Sequence, residues 1–268
     1  MCDKPIGIFD SGLGGLTVLK EIHRMLPGEN LVYFGDSKRA PYGTKSKEAI
    51  TNFAFQDMRF MLSKNVKAIV IACNTVSSNA LDSIKSGFDI PVVEVISPGS
   101  AAGIEASASK KIGVIGTTAT IESGAYKKEL SRIDANCSVV QKSCPLFVSL
   151  VEEGADFWDS RIAELTARHY LDEMKDSGID TLILGCTHYP LLKGVIQRVM
   201  GDNIKLIDSA QSIAVMLKDN KVIELNRTGT NGTVEIYTSD SIDKFMPLCR
   251  DILGKNNQAV GHIDIEAY

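Results

Sequence analysis

The chain has 268 residues, of which 44% are hydrophobic and 23% charged, and its net charge is -4 at pH 7. This length and composition are typical of a globular protein of one or two domains with a sizeable buried core. The charge gives no reason to expect nucleic acid or an anionic membrane as a main partner, and no apolar stretch approaches the ~18 residues that span a bilayer. Residues 1–5 lack a basic region followed by an apolar one, so we predict no secretory signal and a cytoplasmic location.

Apolar runs and amphipathic patterns alternate along most of the chain. The apolar runs predict strands at about 5–9, 31–34, 67–72, 91–95, 111–115, 137–141, 180–185, 204–207 and 234–237. The amphipathic patterns predict helices at about 14–26, 46–64, 75–86, 98–108, 121–132, 160–176, 190–200 and 210–219. This order predicts an α/β fold with parallel sheets that are covered by helices on both faces. The loops after residues 9, 72, 116 and 185 then lie where parallel sheets bind ligands.

Two pairs of segments repeat in the same order along the chain. Residues 6–12 (IGIFDSG) resemble residues 112–118 (IGVIGTT), and residues 68–75 (AIVIACNT) resemble residues 181–188 (TLILGCTH). This weak duplication predicts two similar α/β halves, each with one cysteine at the carboxyl end of a strand. The best candidate for a boundary lies near Pro98 and Gly99, because proline and glycine interrupt regular structure.

The cysteines at positions 73 and 186 are the strongest candidates for chemistry. A lone buried cysteine at a strand end is more often an inert small hydrophobic residue. Here the arrangement is duplicated, and both thiols precede predicted helices whose N-termini favour thiolate. His188 also follows Cys186 closely, and Asp10 could approach Cys73 from the next loop. These features favour a functional role for both thiols. Zinc is the other interpretation, but one Cys-x-His and no second paired motif is poor ligand spacing. The irregular spacing predicts free thiols, and we interpret the remaining four as structural or incidental: Cys2, Cys137, Cys144 and Cys249.

Two loops at the predicted ligand edge leave alternatives open. Residues 10–17 (DSGLGGLT) lack the third glycine of a dinucleotide site, because position 17 is threonine, and they lack the Gly-Lys-Ser/Thr of a Walker loop. They fit either a site for a small carboxylate ligand or a capped turn. Residues 41–43 (PYG) fit either a ligand loop or a simple turn. Glu152 and Glu153 have the pattern of a solvated turn.

Four motifs in this order, at residues 10–15 (DSGLGG), 41–43 (PYG), 72–75 (ACNT) and 185–190 (GCTHYP), closely resemble the glutamate racemase family. That family belongs to the cofactor-independent amino-acid racemases, and the resemblance covers essentially the full length. It implies two similar Rossmann-like or flavodoxin-like α/β domains with mainly parallel sheets and an active site in the cleft between them. The first domain would contain residues 1–97 and 209–268, and the second would contain residues 98–208.

The resemblance also implies roles for individual residues. Cys73 and Cys186 would be the acid/base thiols, with Asp10 and His188 as their supporting groups, and Asp36 and Glu152 resemble further acidic helpers. The positions that match the family's substrate-binding residues are Asp10, Ser11, Tyr42, Gly43, Asn74, Thr75, Thr187 and His188. The implied function is interconversion of L- and D-glutamate for peptidoglycan synthesis, with no pyridoxal phosphate and no metal. The family varies in oligomerisation, so a homodimer stays open.

The chemistry of such a reaction requires a base on one face of the α-carbon and an acid on the other. By resemblance, Cys73 handles the proton of the D-enantiomer and Cys186 that of the L-enantiomer. A racemase of the same scaffold that acts on aspartate is the nearest alternative, although the complete motif at 185–190 favours glutamate. A hydrolase with Cys186 as nucleophile and His188 as base leaves Cys73 unexplained. A non-catalytic binder of acidic amino acids does not explain two activated thiols.

Overall fold

The computed structural model describes residues 3–219, 223–226, 231–254 and 259–268. These residues form ten strands: β1 (Ile6–Asp10), β2 (Leu31–Gly35), β3 (Ala68–Ile71), β4 (Val92–Glu94), β5 (Lys111–Gly116), β6 (Ser138–Ser143), β7 (Thr181–Gly185), β8 (Lys205–Asp208), β9 (Val234–Thr238) and β10 (Val260–His262).

The same residues form thirteen α-helices: α1 (Leu16–Met25), α2 (Lys47–Ser63), α3 (Asn74–Asn79), α4 (Leu81–Gly87), α5 (Ile96–Ala106), α6 (Thr118–Glu122), α7 (Ala125–Ile133), α8 (Leu146–Glu152), α9 (Ala155–Trp158), α10 (Arg161–Lys175), α11 (Lys193–Met200), α12 (Ser209–Asp219) and α13 (Ile242–Leu253).

The strands form two parallel sheets with matching topology. The first sheet has the order β10-β9-β2-β1-β3-β4 and the second has the order β6-β5-β7-β8, and the paired strands in both are parallel. The segment β2-β1-β3-β4 of the first sheet has the same strand order as the whole second sheet, with β1 corresponding to β5 and β3 to β7. The predicted duplication is therefore visible in the topology, and β3 and β7, the strands before the two cysteines, occupy equivalent positions.

The central strands are buried on both faces. Every residue of β1, β3 and β7 is buried, as expected for parallel strands covered by helices on both sides. Ile8 and Leu16 lie in a core on one face of the first sheet, whereas Phe9 and Met58 lie in a core on the other face. The β-branched and aliphatic runs in the sequence form strands because both faces of each strand are removed from water.

The chain returns to the first sheet after Asp208. In α12, Ile213 and Leu217 share the core that contains Ile8, and β9 and β10 extend the first sheet beyond β2. The domain limits at 97/98 and 208/209 stay a prediction. The first limit falls within the first turn of α5, since that helix begins at Ile96.

Some predicted elements differ from the observed ones. The helix predicted over 75–86 is divided into α3 and α4 at Ala80. The helix predicted over 121–132 is divided into α6 and α7, because Gly124 has a φ of 67°, a left-handed conformation that favours glycine. Three further elements, α8, α9 and β10, were not predicted, since short apolar segments do not distinguish helix from strand. The polar segment 226–232 (NRTGTNG) predicts a turn region, but its residues 227–230 lie outside the described residues, as does Cys2.

Candidate active site

A cavity lies where the carboxyl ends of the two sheets meet. Its volume of about 20 Å³ has room for about one water molecule. The residues that line it are Ser11, Gly12, Ala40, Pro41, Tyr42, Gly43, Cys73, Asn74, Thr75, Thr117, Val148, Glu152, Cys186, Thr187 and His188. Both sheets therefore contribute to one enclosed site, and each brings one cysteine to it.

Most of the site residues predicted from the sequence line this cavity. Two of them, Asp10 and Asp36, do not appear in its lining and are completely buried behind it. Among the described cysteines, Cys137, Cys144 and Cys249 also lie away from the lining. Cys144 directly follows β6, but it packs into the core of the second half.

Cys73 is held on the side of the first sheet. It directly precedes α3, is only 4% exposed, and its thiol donates to the Ser11 hydroxyl at 3.3 Å. Burial raises the pKa of Cys73 to about 12, the charge of Asp10 adds to this effect, and hydrogen bonds from Ser11 and the Val76 amide oppose it. The Val76 amide in the first turn of α3 lowers the pKa of the thiol, as the predicted helix start implies, but desolvation of the thiolate outweighs this effect.

Cys186 is supported by a histidine and a carboxylate in series. Its sulfur lies 3.7 Å from Nδ1 of His188, and Nε2 of the same ring lies 3.1 Å from Oε1 of Glu152. Burial opposes protonation of His188, but its interactions with Cys186 and Glu152 outweigh burial and raise the pKa of the imidazole well above its usual value. A protonated imidazole beside a sulfur atom stabilises the thiolate.

The helix predicted over about 190–200 is present after Cys186, and its first turn is a 3₁₀ turn. A 3₁₀ turn covers Tyr189–Leu192, and α11 begins only at Lys193. His188 is the group that lies beside the sulfur, and support of Cys186 from the helix N-terminus stays a prediction.

Asp10 contacts the loop of the opposite half. Its carboxylate accepts hydrogen bonds from the Gly12 amide at 3.1 Å and from the Thr187 hydroxyl at 3.3 Å. Burial raises the pKa of Asp10, while the charge of His188 and these hydrogen bonds lower it. Asp10 therefore acts on Cys73 through its charge, and its direct contact is with the loop that carries Cys186.

The glycine-rich turn allows close contact between the two halves. A Cβ atom at Gly14 would lie 2.4 Å from the Thr187 hydroxyl oxygen. Thr17 occupies the position where a dinucleotide motif needs glycine. Its hydroxyl lies within donating distance of two carbonyl oxygens, that of Thr187 at 3.0 Å and that of Gly14 at 2.8 Å. This turn packs against the Cys186 loop in the structure.

Comparison with known proteins identifies the family. The model of the Asp/Glu/hydantoin racemases matches residues 6–217 of this chain. The glutamate racemase of Thermoanaerobacter pseudethanolicus is 45% identical over 269 aligned positions, which cover 100% of both chains. The chain belongs to the Asp/Glu/hydantoin racemase family.

Two solved structures of glutamate racemases in this family have the same fold. That of Bacillus anthracis has a TM-score of 0.91 at 36% identity and covers 97% of both chains. That of Francisella tularensis, solved in complex with D-glutamate, has a TM-score of 0.90 at 40% identity and covers 99% of both chains. The predicted resemblance to glutamate racemases and the predicted two-domain α/β fold are confirmed.

In this racemase, Asp36 contacts the loop at residues 41–43. Its carboxylate accepts hydrogen bonds from Arg39 at 2.5 Å, from Ser239 at 2.7 Å and from the Tyr42 hydroxyl. Arg39 also pairs with the buried Asp57 at 3.1 Å. This network holds the loop that places Tyr42 and Gly43 in the cavity wall, and Asp36 itself lies outside the lining.

Sequence reasoning missed Thr117, although a signal for it was present. The duplicated segments align Thr117 with Ser11, one position after the end of the equivalent strand. The hydroxyl of Thr117 lies 2.9 Å from that of Thr75 and 2.9 Å from that of Thr120. Hydroxyl groups from both halves thus meet here, and Thr75 and Thr117 line the cavity. Gly43 is close by, since a Cβ atom at that position would lie 2.6 Å from Cβ of Thr117.

The described residues offer neither a metal-binding cluster nor a membrane-spanning helix. No group of three or more His, Cys, Asp or Glu side chains in that part of the chain is placed to hold a metal ion. None of the helices described is long and apolar enough to cross a bilayer.

Proposed function

We propose that this protein interconverts L- and D-glutamate by proton transfer between two thiols, and that it supplies D-glutamate for peptidoglycan synthesis. The observation that carries the proposal is the placement of Cys73 and Cys186, from equivalent strands of two similar sheets, in the wall of one cavity. The glutamate racemases that match over the whole chain support glutamate as the substrate. A homodimer and a cytoplasmic location stay predictions.

The proposed reaction from L-glutamate begins with Cys186 as the base. The imidazolium of His188, stabilised by Glu152, favours the Cys186 thiolate. This thiolate takes the α-proton, the electron pair of the C–H bond stays on the α-carbon, and the Cys73 thiol donates its proton to the opposite face. The raised pKa of Cys73 keeps that thiol protonated before the reaction. The roles of the two thiols are exchanged when the reaction starts from D-glutamate.

The charge that develops on the substrate requires hydrogen-bond donors in fixed positions. Asn74, Thr75 and Thr187 line the cavity and offer one amide and two hydroxyl groups. Because two thiols supply both the acid and the base, the proposed mechanism uses neither pyridoxal phosphate nor a metal.

The proposed reaction also needs the two halves to separate. The cavity has room for about one water molecule, which is less than an amino acid requires. We expect substrate to enter an open form, and closure to exclude water and bring both thiols to the α-carbon.

The test is loss of optical rotation from L-glutamate without added pyridoxal phosphate, with L-aspartate as the competing substrate. Cys73→Ser and Cys186→Ser should each lower kcat at least about a thousandfold, and both should leave the melting curve unchanged. Cys137→Ser and Cys249→Ser are the matched controls, because these cysteines lie outside the cavity lining, and both should keep normal turnover. Near-normal turnover in either of the first two variants would contradict the two-thiol mechanism, and preference for L-aspartate would contradict the substrate.

A further inference from the structure

Tyr126 joins the loops that carry the two thiols. It lies on α7 in the second half of the chain and is completely buried. Its hydroxyl donates a hydrogen bond of 2.6 Å to Oδ1 of Asn74, the residue that directly follows Cys73 in the first half. Tyr126 does not line the cavity, and it belongs to none of the sequence motifs described above.

This hydrogen bond determines which end of the Asn74 amide is free. With Oδ1 engaged by Tyr126, the NH₂ group is buried and has no hydrogen-bond partner among the described residues. Asn74 lines the cavity, so this donor is available to an acceptor placed there. A rotated amide would present its oxygen instead, which repels a carboxylate.

The ring of Tyr126 also contacts the second thiol loop. A Cβ atom at Gly185 would lie 2.9 Å from Cε2 of Tyr126, so the ring packs directly against the backbone before Cys186. One buried side chain therefore touches the residue after one thiol and the residue before the other.

We propose that Tyr126 is a positioning residue of the racemase, whose hydroxyl orients the Asn74 amide so that its NH₂ group binds a carboxylate of the substrate. This inference rests on the proposed function and identifies a determinant of substrate binding in the same site. Tyr126 acts through Asn74, and its hydroxyl does not itself contact the substrate.

The kinetic test is a double-mutant cycle. Tyr126→Phe keeps the ring against Gly185 and removes only the hydroxyl, and we expect it to lower kcat/KM for both enantiomers about tenfold. In an Asn74→Ala background the same substitution should change kcat/KM less than about twofold, because the amide that it orients is absent. An equal loss in both backgrounds, or no loss in the otherwise unchanged protein, would overturn the proposal.

Two further measurements separate positioning from simple destabilisation. 4-Aminophenylalanine at position 126 keeps a donor near the hydroxyl position and should restore kcat/KM to within about threefold, and failure to restore it would count against the proposal. Tyr189→Phe is the matched stability control, since that hydroxyl is also buried and donates to the Cys144 carbonyl at 2.9 Å. It should lower the melting temperature by a similar amount with less than about a twofold change in kcat/KM.

A binding experiment keeps this inference separate from the proposed reaction. In the Cys73→Ser/Cys186→Ser protein, Tyr126→Phe should weaken D-glutamate binding about tenfold by calorimetry. Weaker binding without any turnover in the wild-type chain would contradict the racemase proposal but support the role of Tyr126. Normal turnover in the wild type with unchanged binding in the variant would contradict only the role of Tyr126.

Discussion

The carboxylate of Asp10 accepts a hydrogen bond from the Thr187 hydroxyl at 3.3 Å, although Asp10 ends β1 of the first sheet and Thr187 follows β7 of the second. The sequence suggested Asp10 as a supporting group for Cys73 alone. In the structure Asp10 is hydrogen-bonded to the loop beside Cys186, and its negative charge also raises the pKa of Cys73. One carboxylate is therefore coupled to both thiols.

Asp10→Asn should affect the reaction in both directions. The amide lacks the negative charge and one of the two acceptor oxygens that now bind Gly12 and Thr187, and we expect kcat/KM to fall about a hundredfold, or about 2.7 kcal/mol. Equilibrium between enantiomers fixes the ratio of kcat/KM in the two directions, so the direction-dependent measurement is the isotope effect on kcat with α-deuterated L- and D-glutamate. A changed isotope effect in only one direction would show that Asp10 serves a single thiol. Asp82→Asn, an exposed position in the first turn of α4, is the control.

Glu152→Gln should move the alkaline limit of activity to lower pH. The Glu152 carboxylate helps to raise the pKa of His188, so its removal lowers that pKa and the imidazolium loses its proton at a lower pH. We expect the alkaline limb of the kcat/KM profile to move by about one pH unit. Glu153→Gln is the matched control, because Glu153 is the adjacent exposed glutamate outside the cavity lining. Identical profiles for Glu152→Gln and the wild type would remove Glu152 from the mechanism.

Thr117→Val should weaken substrate binding, whereas Thr117→Ser should not. Valine keeps the shape of threonine but lacks the hydroxyl that lies 2.9 Å from Thr75. We expect KM for glutamate to rise about tenfold, with a smaller change in kcat. Valine also loses the cap of α6, where Thr117 accepts from the Thr120 amide at 3.3 Å, which costs about 1 kcal/mol of stability. A normal KM in Thr117→Val, measured well below its melting temperature, would exclude Thr117 from the binding site.

Asp180→Asn should destabilise the protein at neutral pH but not at low pH. Burial opposes ionisation of Asp180, but hydrogen bonds from Ser107, Ser109 and Thr181 outweigh it and hold the pKa of the carboxyl well below its usual value. A depressed pKa contributes stability that is present above the unfolded value and is lost as the pH falls. We expect urea denaturation to show a loss of about 1 to 2 kcal/mol at pH 7, and the difference should shrink below about pH 4. Asp172→Asn, at an exposed position on α10, is the control and should show no such pH dependence. If Asp180→Asn lowered the free energy of unfolding equally at pH 7 and well below pH 4, the low pKa of Asp180 would not be the cause.

The sequence predicted the parts of the site that depend on local pattern. The strands before Cys73 and Cys186 are continuous apolar runs, and the carboxyl ends of such strands face ligands in parallel sheets. The motifs at 41–43 and 185–190 identified Tyr42, Gly43, Thr187 and His188, all of which line the cavity. The roles of these residues stay predictions.

Other parts of the site could not be predicted, because they depend on contacts between distant segments. The local pattern at Glu152 was that of a solvated turn, and only the family resemblance suggested it as a helper. Its carboxylate meets His188, 36 positions later, because α8 ends beside that histidine. The helix start at Cys73 predicted a stabilised thiolate, but burial raises the pKa of this thiol by more than the helix start lowers it. Desolvation depends on everything that packs around a group, and a local pattern does not contain this information.

The amino-acid sequence by itself determined the α/β class, the duplicated halves and the two cysteines, because the period of apolar residues and the residues at strand ends are local properties. Only the tertiary structure decided how the halves meet. The contacts of Asp10 with Thr187 and of Tyr126 with Asn74 join residues that are 177 and 52 positions apart. Such contacts form when two sheets pack with their carboxyl ends together, and their geometry depends on the packing of both cores at once.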